Sequence, residues 1–326
     1  YELAGHTLGI VGLGKIGCLV ADAAIRLGMT VMGYDPEITV DAAWSLPSQV
    51  RRATSVADVL KHAVLVALLE SLVRKQAPLC YIDTHAGAGR YDLDGSEAQK
   101  TQEHVDGITR LLSAPLPPAL QSYTKLVRAL GANAGRGELV EYPGSPLLAS
   151  TLLRAGDRLL LCELQDAERA QLELLFASDR RVQVMQRDGY GALKALLPPK
   201  ERRGLVLIDP PFEQQADEFD LVAGALEPAF ERFATGVYAI WYPIKRRHDI
   251  NRFHRWLKAC GMHKILVAEL LLRPDNSALR LNGCGMAIIN APWKLDETLA
   301  QLLPAIADLL VVDRGGGHSL QWLVRE

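Results

Sequence analysis

An α/β architecture on a largely parallel sheet is what this sequence predicts, preceded by a partial dinucleotide-binding βαβ unit, and three observations carry the prediction. Strand-like runs recur along the chain with helical intervals between them, most of those runs are continuously apolar, and polar residues gather just past the strand ends. Continuous apolar runs mark strands covered on both faces, whereas alternation marks strands with one wet face. With 326 residues, 49% hydrophobic and 23% charged, the chain is long enough to bury one large core or two moderate ones. A formal net charge of -2 excludes a generally basic protein, so nucleic-acid binding has to come from a local basic face.

In chain order, TLGIVGL comes first and runs into Gly12, Gly14 and Gly17 at G-x-G-x-x-G spacing. The next strand, TVMGYD, ends on Asp35, 18 residues after Gly17. Gly12 permits a tight turn, Gly14 lets backbone approach a pyrophosphate, Gly17 allows close helix packing, and Asp35 suits a ribose diol. A full cofactor half needs a third strand before LCYIDTH, and the interval offers only the helix VADVLKHAVLVALLESLVRK. The unit is therefore partial, and residues 1–55 are expected to form a separate segment from residues 56–326.

LCYIDTHAGAGRY then places Asp83 and His85 at a strand end, with Gly87 and Gly89 in the turn that follows. The long interval after it, including GSEAQKTQEHVDGITRLLSA and LPPALQSYTKLVRALGA, reads as a helical insert at about 92–140. RLLLCEL ends on Glu163, placed to hold a ribose diol. RVQVMQRDG brings Asp188 and Gly189 to the next strand end, suited to an adenine amine, and GLVLIDPPF leads into Asp209, Pro210, Pro211 and Phe212. All of these sit at carboxyl ends of strands, the edge where open α/β sheets bind ligands. Methyl transfer to an exocyclic amine needs acceptors that aim the nitrogen lone pair at the donor. Asp209 and the Pro210 carbonyl can supply them, while Phe212 offers a stacking face and the prolines stiffen the loop. The strands GVYAIWYPI, KILVAELLL and GMAIINAP complete the sheet, and DETLAQLLPAIADLLV reads as a late helix.

Other features carry less chemistry. Asn290-Ala291-Pro292-Trp293 imitates an amine-methylating loop but follows the last of these strands and lacks the double proline, so it reads as structural. Two basic clusters, Lys245-Arg246-Arg247-His248 and Lys200 with Arg202-Arg203, are candidates for phosphate contact, the first more than the second because it follows a strand on the catalytic edge. His104, His254, His263 and His318 show no metal-ligand spacing. Five scattered cysteines without a C-x-x-C pair, no apolar run of about 18 residues and no basic-then-apolar leader suggest a cytoplasmic protein with reduced thiols and no membrane partner. The start at Tyr1 without methionine reads as a cut.

Two resemblances add to this. From Ala57 onward, ADVLKH, DTHAGAGRY, YPGSP, LIDPPF, RFATGVYAIWYPI and NAPWKL resemble the RlmJ-type 23S rRNA adenine-N6 methyltransferases. That resemblance implies a class I methyltransferase Rossmann-like fold with a small helical insert, S-adenosylmethionine as donor, and an adenine of 23S rRNA, protein-free or in an early assembly form, as acceptor. It implies cofactor contacts at His62, His85, Ser145, Glu163, Asp188 and Gly189, a catalytic acceptor at Asp209, and Lys61 at the entrance beside Pro210 and Phe212. Two departures stand out: Phe212 replaces the family's common Tyr, and Thr54-Ser55-Val56 precede ADVLKH where the family has a Tyr- and His-rich closing segment. Residues from Tyr1 to Arg52 instead resemble the NAD domain of D-2-hydroxyacid dehydrogenases of the phosphoglycerate branch. The family's substrate-binding Arg, acid and His have no counterpart downstream, and Arg314 in DRGGGH lies too near the end to serve. The chain thus reads as a chimera with Gly12, Gly14, Gly17 and Asp35 as a vestigial NAD site that is not expected to function. The alternatives are a dehydrogenase remnant or an inactive chimera that binds cofactor or RNA.

Overall fold

The computed structural model describes residues 7–11, 20–21, 23–24, 29–34, 56–93, 105–113, 115–135, 139–212, 215–274, 281–311 and 315–326. Gly12, Gly14, Gly17, Asp35, His104 and Arg314 lie outside the described residues. Strands β1 (Thr7–Val11) and β2 (Thr30–Tyr34) pair parallel with each other, Thr7 opposite Thr30 and Val11 opposite Tyr34, and form their own two-stranded sheet.

The rest is built on an eight-stranded sheet. In chain order the elements are α1 (Val56–Val73), β3 (Cys80–Asp83), β4 (Arg90–Asp92), α2 (Arg110–Ser113), α3 (Gln121–Ala129), β5 (Glu141–Pro143), α4 (Ser145–Leu152), β6 (Arg158–Cys162) and α5 (Asp166–Leu175). They continue with β7 (Val182–Met185), α6 (Gly189–Leu196), β8 (Gly204–Ile208), α7 (Gln215–Arg232), β9 (Val237–Ile244), α8 (Arg247–Ala259), β10 (Ile265–Leu271), β11 (Gly283–Ile289), α9 (Leu295–Leu310) and β12 (Gly317–Val324). The spatial order is β12-β10-β11-β9-β8-β3-β6-β7. Strands β7, β6, β3, β8 and β9 run parallel, and β11 inserts antiparallel between β9 and β10, with β12 antiparallel on the outer edge. This is the class I methyltransferase arrangement, with the strand order reversing at β3, where ligand crevices form in open α/β sheets.

The apolar runs explain the burial. Every residue of β8 and β9 is buried, as continuous runs predict for strands covered on both sides. The edge strand β12, GHSLQWLV, is only partly buried and mixes polar with apolar residues, so it carries no such signature. Likewise β4 and β5 are three residues each; they pair antiparallel and bracket the helical segment between them. Asn133 holds that segment together from a buried position. Its Nδ2 donates to the carbonyls of Val127 (2.9 Å) and Glu141 (2.7 Å), and its Oδ1 accepts from the amides of Val140 (2.9 Å) and Glu141 (3.0 Å). The GSEAQ half of the segment lies outside the described residues.

Helix α1 is not the one-sided amphipathic helix that a dinucleotide-binding unit would place here. From Ala57 to Leu69 every residue except Asp58 is buried, the signature of a central helix rather than a surface one. It packs against α4, α9 and β11. Each fully buried Leu or Val contributes roughly 1.5–3 kcal/mol, so this helix is part of the core of the large sheet. Its C-terminal end is closed by two arginines: Arg154 donates to the carbonyls of Val73 (3.3 Å), Lys75 (2.8 Å) and Ala77 (3.1 Å), and Arg203 to those of Leu72 and Ala77. The bonds to Leu72 and Val73 satisfy carbonyls that a helix end leaves without intrahelical partners, and those to Lys75 and Ala77 fix the turn that follows.

Candidate active site

Four neighbouring strand ends, those of β3, β6, β7 and β8, bring the expected residues to one edge. At the end of β3, Asp83 is fully buried. Its Oδ2 accepts from Tyr81 Oη (2.7 Å) and Ser145 Oγ (2.7 Å), and its Oδ1 from the His85 amide (3.2 Å). Burial pushes its carboxyl up to about 6, although the Ser145 and Tyr81 hydroxyls pull the other way. Because Ser145 donates its proton to Asp83, what it keeps for a ligand is acceptor capacity. The turn that follows has left-handed backbone at Gly87 (φ 63) and Gly89 (φ 77), a conformation that glycine adopts without a Cβ penalty.

At the end of β6, Glu163 accepts from the Gly87 amide through Oε2 (2.8 Å) and from the Gln165 amide through Oε1 (2.8 Å), so the acid is fixed against the glycine turn with lone pairs to spare. Asp188 follows β7 and caps α6 by accepting from the Gly191 amide (2.7 Å). Gly189 is indispensable there: a Cβ would stand 2.2 Å from the Thr84 carbonyl oxygen. His85 Nδ1 pairs with Thr84 Oγ1 (2.8 Å), its ring meets Tyr190 edge-on at 5.3 Å, and burial lowers its pKa to about 4. Tyr190 in turn donates to Glu218 on α7 (2.5 Å), linking the β7 turn to the helix that follows the DPPF loop.

At the end of β8, Lys61 of α1 reaches across to Asp209, Nζ to Oδ2 2.6 Å, and also to Asp58 Oδ1 at 2.9 Å. Burial, the largest influence on this ammonium, acts against its charge, but the two carboxylates outweigh it and hold its pKa well above the ordinary lysine range. Next to it, His62 Nδ1 bonds Tyr142 Oη (2.8 Å), and burial lowers its pKa to about 3. Phe212 behaves differently from the expected stacking surface. It is 0% exposed, with φ 50, wedged edge-on against Phe219 (5.2 Å) and Trp241 (5.8 Å), so its faces meet protein. Asp58, Tyr123, Tyr142 and Tyr190 were not singled out from sequence; Asp58 and Lys61 are a visible i, i+3 pair, whereas the tyrosines carry no local signal.

The remaining candidates divide between the two edges of the sheet. Lys245-Arg246-Arg247-His248 follow β9 on the same edge as Asp209, but Arg247 turns inward onto Glu269 (2.8 and 3.0 Å). Arg246 is 72% exposed, paired with Asp249, and His248 83% exposed. Lys200, Arg202 and Arg203 precede β8 and so lie on the opposite edge, where Arg203 closes α1. Asn290-Ala291-Pro292-Trp293 leave the antiparallel β11 on that opposite edge too, and Asn290 Nδ2 donates to the carbonyls of Ala234 and Gly236 (both 2.7 Å). His254 pairs with Tyr242 Oη (3.0 Å) in the interior, His318 is exposed on β12, and His263 lies before β10. Among the described residues no group of His, Cys, Asp and Glu is placed to hold a metal ion, and no helix is long and apolar enough to cross a membrane.

Comparison with known proteins divides the chain just after α1, at residues 76–79. Residues 76–324 match the family described as ribosomal RNA large subunit methyltransferase D, RlmJ, and residues 1–79 match the NAD binding domain of D-isomer specific 2-hydroxyacid dehydrogenases. The ribosomal RNA large subunit methyltransferase J of Haemophilus influenzae is 45% identical over 271 residues, 83% of this chain and 95% of the relative. The crystal structure of protein LPL1258 from Legionella pneumophila superimposes with a TM-score of 0.75 at 33% identity, covering 83% of this chain and 98% of that one. By contrast, D-3-phosphoglycerate dehydrogenase of Methanocaldococcus jannaschii is 38% identical over 74 residues, 23% of this chain and 14% of the relative. With the eight-stranded sheet lying within the first of these matches, the chain belongs to the RlmJ family of ribosomal RNA large subunit methyltransferases.

Proposed function

We propose that this chain transfers the methyl group of S-adenosylmethionine to the N6 amine of an adenine in 23S ribosomal RNA, taken in a protein-free or early assembly form in the cytoplasm. The observation that carries this reading is the gathering at one sheet edge of Asp209 with Glu163 and Asp188, each at the end of a different parallel strand. The donor supplies an electrophilic methyl group. The chain's own residues fit it: Glu163 has lone pairs left for a ribose diol, Asp188 and Gly189 stand at the next strand end for the adenine amine, and the buried His62 Nε2 has no hydrogen-bond partner among the described residues. Asp209 and the Pro210 carbonyl accept hydrogen bonds from the two amine N–H groups and aim the nitrogen lone pair at the methyl carbon. The C–S bond breaks as the C–N bond forms, the thioether leaves, and the methylated nitrogen then loses one proton to solvent, so the rate comes from positioning rather than from a strong base. Lys61 orients Asp209 through its Oδ2. For Phe212 to stack on the base, its ring has to leave the slot between Phe219 and Trp241. Arg246 and His248 reach phosphates flanking the target nucleotide.

Residues 1–55 take no part in hydride chemistry in this reading, and NAD is not a working cofactor. Methyl transfer to unmodified 23S rRNA fragments is the test. The intact chain transfers label, and Asp209→Ala lowers the rate by at least about 100-fold, the scale of losing a positioning contact. Equal transfer by both proteins would sink the assignment of Asp209, and a saturable NADH fluorescence change would restore a cofactor role to the N-terminal segment.

A further inference from the structure

Three buried side chains from three elements form one hydrogen-bonded line. Tyr123 of α3 in the helical insert meets Tyr142 of β5, Oη to Oη 2.7 Å, and Tyr142 Oη meets His62 Nδ1 of α1 at 2.8 Å. The three are 1%, 0% and 2% exposed. His62 Nε2, at the far end, is buried with no hydrogen-bond partner among the described residues. A neutral imidazole and two hydroxyls bring three protons to two bonds, so one proton is always left without a place in the line. If His62 donates from Nδ1, the surplus proton sits on a tyrosine: on Tyr142 when Tyr123 donates to it as well, or on Tyr123 inside the insert, where no other hydrogen bond to its hydroxyl is found among the described residues. If both tyrosines donate toward His62, the surplus proton is the Nε2–H. Either way a buried donor lacks a partner, a cost of about 1–3 kcal/mol, and only an acceptor arriving at His62 removes it.

We propose that Tyr123 and Tyr142 are positioning residues which, once cofactor is bound, set His62 as the Nε2–H tautomer facing the carboxylate of the donor's amino-acid moiety. This rests on the S-adenosylmethionine reading above. The choice of group follows from what the neighbours offer. Asp83 and the acceptor lone pairs of Ser145 suit the ammonium, so the carboxylate falls to the N–H side. The arrangement also carries cofactor occupancy into the insert: a bound carboxylate points both tyrosine protons toward His62, and a ligand without one leaves the line undirected.

Nitrogen-15 NMR of the ring resolves the tautomer directly. In the intact chain saturated with S-adenosylmethionine, Nδ1 shows the shift of a bare acceptor nitrogen and Nε2 that of a protonated one. Decarboxylated S-adenosylmethionine binds about tenfold more weakly than the parent, and Tyr142→Phe removes most of that difference by weakening the parent alone. A protonated Nδ1 in the saturated protein overturns the proposal without any variant, and so does an unchanged affinity ratio in Tyr142→Phe. Absence of S-adenosylmethionine binding overturns the donor reading itself and takes this proposal with it. Binding with the wrong tautomer removes the relay alone.

Discussion

The two edges of the eight-stranded sheet carry similar-looking residues and put them to opposite uses. Each has a glycine-containing turn, a basic cluster and a short proline-containing loop ahead of a helix. On the carboxyl edge of β3, β6, β7 and β8 these become the Gly87–Gly89 turn, exposed Arg246 and the DPPF loop with Lys61 on Asp209. On the amino edge they become the open Gly156 turn, Arg203 closing α1, and Asn290 tying down carbonyls of Ala234 and Gly236. The lesson is that strand direction, more than local sequence, decides whether a motif faces a ligand. The sheet switches order at β3, and only its carboxyl edge opens a crevice there.

The sharpest way to break this contrast is a pair of glycine substitutions. Gly189→Ala drives a Cβ to within 2.2 Å of the Thr84 carbonyl, a backbone atom that cannot step aside, whereas Gly156→Ala meets nothing within 4 Å. The first should cost on the order of 2–4 kcal/mol and most cofactor binding, and the second should stay within about 0.5 kcal/mol, read from denaturant midpoints and donor titration. Equal effects would mean that the two turns are not different in kind.

Next in size is a pair of arginines. Arg203→Ala removes bonds to the carbonyls that end α1 and should lower stability by about 1–3 kcal/mol with no change in the salt dependence of RNA binding. Arg246→Ala should do the reverse: stability holds, RNA affinity falls a few-fold, and the slope of log affinity against log salt shrinks by about one. A lost salt slope in the Arg203 variant would put RNA on the wrong edge.

The smallest effect is on pH. His62 and His85 are lowered to about 3 and about 4 by burial, so folded chain stays neutral where unfolded chain takes up protons. Their contribution is complete above pH of about 6.5 and is lost on acidification. Asp83, raised to about 6 by burial, acts in the other direction, adding stability as pH falls through 6. Two groups oppose one, so denaturant midpoints should fall between pH of about 6.5 and 4, less steeply in His62→Gln. A midpoint that rises on acidification would contradict the burial of these histidines.

Much of this was legible in the sequence because parallel strands announce themselves. β8 and β9 are unbroken apolar runs, and the acids after β3, β6, β7 and β8 could be read off as strand-end residues. β12 escaped because its partly wet edge gives no continuous run, and β4 and β5 because three residues carry no period. The Lys61–Asp209 contact spans 148 positions and had no local trace, so only the family resemblance pointed to Lys61. Phe212 shows the opposite limit: residue type suggested a stacking face, but that the ring sits buried against Phe219 and Trp241 is a property of its neighbours that no local pattern carries.

Helix α1 has a consequence for timing. It lies just before the stretch where the two family matches overlap, residues 76–79, and it supplies Lys61. From Ala57 to Leu69 it is closed inside the core, so its amides are expected to exchange with solvent only through large openings of the molecule. The ammonium beside Asp209 is thus mounted on a helix whose opening requires breaking the core itself, so its alignment is tied to the stability of the whole sheet rather than to any surface loop.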